Sequence, residues 1–164
     1  MDTAITALLW IGAIGCGLLG GVFFAFSAFI MRALSDVAPG AGIAAMNAVN
    51  RVILRSPFMP LFWLTTLICL ALAGIAIARW GVPGDVAMLS GGIAHFLGMF
   101  VCTVALNVPL NNALAAVDHA SDAALPVWQR YLREWTRWNH LRTLACTLAC
   151  AAFVLALLQR TAHA

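Results

Sequence analysis

WQRYLREWTRWNHLRT, residues 128–143, is the only stretch of the chain dense in both aromatic and polar side chains. On a helix, Trp128, Tyr131, Trp135 and Trp138 recur at i, i+3, i+7 and i+10 and form one stripe, while Arg130, Arg133, Glu134 and Arg137 fall mostly off it. Past Trp138 the same face brings up Asn139 and Arg142, where the last apolar run begins. Indole and phenol rings that end in an amide and a guanidinium at the edge of hydrocarbon are what a membrane interface selects. The rest of the chain then reads as apolar walls around this stretch.

Composition agrees. Of 164 residues, 63% are hydrophobic and 9% charged, with a mean hydropathy of +0.96. A soluble domain carries about 25% charged residues and uses them to cover its surface. This chain has too few, whereas a lipid-facing helix surface needs none. The expectation is an all-α, four-transmembrane-helix bundle with short amphipathic helices in loops one and three. It forms a single integral membrane domain with spans at about 4–31, 57–78, 86–107 and 141–158. The net charge of +3, from nine Arg and no Lys, is too small and scattered for a nucleic-acid partner. The first apolar run lacks a basic lead and is too long for a cleaved signal. The five cysteines lie inside apolar runs with no CxxC and read as small buried side chains.

Small residues at fourfold spacing in span one, Gly12/Cys16/Gly20 and Gly17/Gly21/Ala25, predict close helix packing within the bundle. In loop one, a helix over 42–54 places Asn47, Asn50 and Arg51 on one side. That side is either solvated or an inward polar cluster, and asparagine's poor helix propensity leans toward the second. Ser56-Pro57 is a helix start, Val82-Pro83-Gly84-Asp85 a tight turn, and Arg160 an outer anchor. His95 is the only ionisable side chain well inside a span and so a candidate functional group, or a neutral imidazole bonded to a neighbouring helix. Met99 and Cys102 share its face. Pro109 removes a backbone donor and would free the Ala105 carbonyl, so Asn107 and Asn111 look like a lining. His119 reads as solvated and His163 as part of a mobile tail. Seven arginines on the side of loops one and three, against Arg79 and Arg160 opposite, place both termini outside the cytoplasm of a bacterial inner membrane.

No metal-site motif, phosphate loop or catalytic serine pattern appears, and no span contains a carboxylate. Polar groups gather at one end. That suits a lipid-side recess for a flat apolar aromatic or lipid-like ligand bearing carbonyl or phenol oxygens, stacked on Trp135 and Trp138 and hydrogen-bonded by Asn47, Asn50, Arg51, Asn107 and Asn111.

Five segments resemble the anthrone oxygenase (DUF1772) family: the Gly-rich first span leading to Phe23-Phe24, Ala45-Met46-Asn47-Ala48-Val49-Asn50, Ser56-Pro57-Phe58, Asn107-Val108-Pro109-Leu110-Asn111, and Trp135-x-x-Trp138-Asn139-His140-Leu141-Arg142-Thr143. The resemblance implies a four-helix membrane protein that oxidises anthrone-like substrates with O2 and no cofactor. On that basis His140 is the candidate base, His95 the second, and Asn139 and Arg142 stabilise enolate charge. Two alternatives stand beside it. One is a non-catalytic protein holding a lipid, quinone or partner helix; the other is a haem- or metal-binding protein using His95 or His140.

Overall fold

The computed structural model describes residues 3–118, 121 and 123–162. His119, Asp122 and His163 lie outside them. The chain runs through α1 (Thr3–Ser35), the short α2 (Pro39–Ile53), α3 (Phe58–Ala78), α4 (Asp85–Ala115) and α5 (Ala124–Thr161). All but α2 are long and apolar enough to cross a membrane, which makes this a multi-pass membrane protein. Trp10, Leu18, Phe24, Leu67 and Leu148 are exposed on the outside of the bundle. Hydrocarbon solvates such a face without a partner.

The aromatic stretch and the last span join in one helix of 38 residues. No Gly or Pro follows Pro126 within it, so nothing breaks the hydrogen-bond ladder. At a rise of ~1.5 Å per residue the rod is about 57 Å long, nearly twice the ~30 Å hydrocarbon thickness. Its first half therefore stands proud of the membrane and carries α2 and the end of α4 against it. There Met31, Ile43, Met46, Leu110 and Leu114 pack around Trp128 and Tyr131.

Helix α4 continues past Asn107 through Pro109. The turn Thr103–Asn107 is π-helical, and the Val108 N–H donates to Thr103 O, five residues back. The wider turn accommodates a proline that would clash in an ordinary α-helix. Two more π-helical segments occur, Phe26–Ile30 in α1 and Ala94–Val101 in α4.

Of the two small-residue rows in α1, Gly12, Cys16 and Gly20 face inward, while Gly17 and Gly21 face out. A Cβ at Gly20 would stand 3.2 Å from Cys146 Cβ on α5. The start of α3 is capped as expected: Ser56 Oγ accepts the Phe58 N–H at 3.2 Å.

At the opposite end of the bundle from the aromatic stretch, Arg160 does not reach for solvent as expected, and Asp85 is more than a turn residue. Asp85 opens α4 with its side chain 2% exposed, 3.7 Å from Nη1 of an equally buried Arg160. Its Oδ2 accepts the Val82 N–H at 2.9 Å. Gly84 permits this approach: its φ is +93°, and a Cβ there would meet Ala156 O and Arg160 Cγ at 3.0 Å. A carboxylate therefore does enter a span, at its rim.

Candidate functional site

The period of α5 puts Trp128, Tyr131, Trp135, Asn139 and Arg142 on its inward face, each buried to 5% exposure or less. Trp128 stacks on Tyr131 with centroids 5.8 Å apart, and Tyr131 on Trp135 at 5.7 Å. Trp138 leaves this stack. It is half-buried, with the Arg137 guanidinium 5.3 Å above its ring.

Arg142 closes the stack from the membrane side. Its guanidinium lies 4.4 Å from the Phe23 ring centroid and 5.0 Å from that of Trp135. Nη2 donates to Asn139 Oδ1 at 2.7 Å, and Nη1 to Thr103 Oγ1 at 3.4 Å. Asn139 is held in turn: its Nδ2 donates to Phe23 O and to Ser27 Oγ, both at 2.7 Å. The amide is thus fully used in aiming the guanidinium. Ring faces and carbonyl dipoles partly compensate the buried charge, and among the described residues no carboxylate pairs with it.

The asparagines of α2 and α4 close the other side. Asn107, 1% exposed, donates from Nδ2 to Trp135 O at 3.2 Å. Asn111 Oδ1 accepts the Tyr131 hydroxyl at 2.8 Å. Asn47 Nδ2 reaches Leu114 O at 3.5 Å. Buried polar atoms without a partner concentrate here: Trp135 Nε1, Arg142 Nε, Asn50 Nδ2, Asn47 Oδ1 and Thr136 Oγ1, with two more, Asp85 Oδ1 and Arg160 Nε, at the other end. Each such atom costs about 1–3 kcal/mol until something satisfies it.

The structure therefore gathers Asn47, Asn50, Asn107, Asn111, Trp135, Asn139 and Arg142 at one rim, and leaves four expected residues out, Trp138 among them. His140 is exposed. It follows Asn139 directly, so it points about 100° away from the inward face, whereas Arg142, three residues on, returns to it. Arg51 is exposed for the same reason, one step past Asn50. His95 is fully buried, but in a second cluster. Its Nδ1 lies 3.3 Å from Cys16 Sγ and its Nε2 3.3 Å from Thr66 Oγ1, while Cys16 and Cys69 sulfurs are 3.7 Å apart. Cys102, on the His95 face by spacing, instead lies 3.6 Å from Trp138 O. Ser27 and Thr66 went unread, and Phe23 was read only within the Phe23-Phe24 segment, because nothing in an apolar run marks a lone ring or hydroxyl as inward.

Against known proteins, the family model for Anthrone oxygenase matches residues 53–152. That stretch is more than half of the chain and includes His95, Asn107, Trp135, Asn139 and Arg142, with Asn47, Asn50 and Arg51 before it. Neither a curated protein nor a solved structure matches the chain.

Proposed function

Since the chain belongs to the anthrone oxygenase (DUF1772) family, we propose that the rim cluster binds a flat apolar molecule with a carbonyl or phenol oxygen, as its anion, and lets O2 oxidise it without a cofactor. One observation supports this above others. Trp135 Nε1 and Arg142 Nε are buried N–H donors with no acceptor, on neighbouring groups 5.0 Å apart. Two unpartnered donors on adjacent buried groups suit a developing oxyanion.

The reaction balances as CH2 + O2 → C=O + H2O. A CH2 flanked by aromatic rings and conjugated to a carbonyl loses a proton to give an enolate. The carbanion end adds O2 and takes back a proton, forming a hydroperoxide, which loses water to leave the new carbonyl. Arg142 and Trp135 hold the anionic oxygen. Asn139 and Asn107 are positioning residues, because their amides are spent on Arg142, Phe23, Ser27 and the Trp135 carbonyl. The enol tautomer is itself a phenol that gives the same anion when its proton passes to water or buffer, so the exposed His140 is not required as base. The arginine bias puts this rim on the cytoplasmic side and both termini opposite.

The test is O2 uptake with an anthrone by protein in nanodiscs. The expected result is one O2 consumed per anthrone, with kcat reduced about 10²–10³-fold by Arg142→Met. Equal uptake by the variant would remove the cluster from the chemistry. Tight anthrone or quinone binding without uptake would mark a membrane binding protein instead.

A further inference from the structure

We infer that Cys16, Cys69 and His95, from α1, α3 and α4, form a buried site for one Zn2+ ion, separate from the rim cluster. All three are at 0% exposure. Their sulfur and nitrogen ligand atoms lie within 4.8 Å of one another.

The tautomer is set for ligation. Thr66 has one hydroxyl proton and spends it on Phe62 O at 2.8 Å. Its oxygen can then only accept from His95 Nε2 at 3.3 Å. The ring is therefore protonated at Nε2, and Nδ1 presents a lone pair toward Cys16 Sγ at 3.3 Å. A ligand histidine needs this arrangement: one nitrogen free for the metal, the other held by a partner that fixes the ring. The backbone adds a second observation, since His95 sits in the π-helical segment Ala94–Val101, a rare geometry concentrated at functional sites.

Size and charge select the ion. Tetrahedral edges built on Zn–S of ~2.3 Å and Zn–N of ~2.0–2.1 Å are about 3.8 Å between sulfurs and about 3.6 Å between sulfur and nitrogen. The observed 3.7 Å and 3.3 Å need to open only slightly. Zn2+ displaces one proton from each thiol, the two protons leave to solvent, and no electron moves. Two thiolates and a neutral imidazole make the complex uncharged, which a hydrocarbon environment favours; a monovalent ion would leave a net negative charge. Among the described residues no fourth His, Cys, Asp or Glu joins the set. One coordination position therefore stays open, as in zinc sites that bind water or a substrate oxygen.

The experiment is metal content and spectroscopy, independent of O2 uptake. Protein purified in detergent without chelator is expected to retain one Zn2+. Co2+ exchanged in its place should show thiolate-to-metal charge-transfer and intense tetrahedral bands, and Mg2+ should not bind. Cys69→Ser and His95→Gln should lose the ion, and Cys150→Ser should keep it. Thr66→Val retains all three ligands and should weaken Co2+ binding about 10–100-fold. It keeps the inference testable should the ligand variants fail to fold. Absence of retained Zn2+ and of Co2+ thiolate bands in folded wild-type protein would overturn the site, as would Thr66→Val and Cys69→Ser both binding like wild type. Oxidation at the rim can fail while this site stands, and the reverse.

Discussion

Helix α5 buries two arginines, one near each rim and about 27 Å apart at ~1.5 Å per residue, and surrounds them differently. Arg160 has a carboxylate, Asp85, at 3.7 Å. Arg142 has two aromatic faces, an amide and a hydroxyl, and an Nε with nothing to donate to. Taking a guanidinium out of water costs several kcal/mol in either place. At the Arg160 rim a carboxylate answers the charge within the molecule, although Arg160 Nε and Asp85 Oδ1 themselves lack hydrogen-bond partners. At the Arg142 rim no carboxylate among the described residues does so, and under the proposed function a bound oxyanion supplies that charge. A charge paired internally ties helices together; a charge without a counter-ion is, on the proposed function, what recognises the ligand.

Four single substitutions and one double variant break or sharpen that contrast. Arg142→Met should lower kcat for anthrone oxidation about 10²–10³-fold while thermal unfolding in detergent shows unchanged or higher stability, since an uncompensated charge has gone. Asp85→Asn should do the reverse. It strands a buried Arg160 and costs about 3–5 kcal/mol of stability, with turnover per folded molecule kept. Adding Arg160→Met should recover most of the loss, and a double variant no more stable than the single one would refute the pairing. Trp135→Phe keeps the ring in its stack but removes the indole donor, and kcat should fall about tenfold, the equivalent of one ~1.4 kcal/mol hydrogen bond. His140→Ala, outside the cluster, should change turnover by about twofold or less, as exposed substitutions do. A larger loss there would return His140 to the mechanism.

Span number and the inward stripe were legible because hydropathy and helical period are properties of residue order. Trp128, Tyr131, Trp135, Asn139 and Arg142 could be placed on one face from spacing alone. His140 was misplaced because motif adjacency was weighed above helical phase. The Val82–Asp85 turn was read correctly, but the pairing of Asp85 with Arg160 was missed because they sit at opposite ends of two different helices, and only tertiary packing brings them together. The Cys16–Cys69–His95 cluster was missed for the same reason: each helix contributes one atom, and spacing within α4 pointed to Cys102 instead. Pro109 signalled an irregularity correctly, but whether such a residue ends a helix or widens it depends on what packs beside it.

Each π turn amounts to one residue more than the regular coil would hold, and the three of them carry Ser27, His95, and the pair Thr103 and Asn107. Excising a single residue from one of them would restore ordinary pitch and swing everything beyond it by about 100°. The rod would still cross the bilayer and score as equally greasy. A sister chain could thus shed its chemistry through one codon's deletion while every topology profile stayed the same.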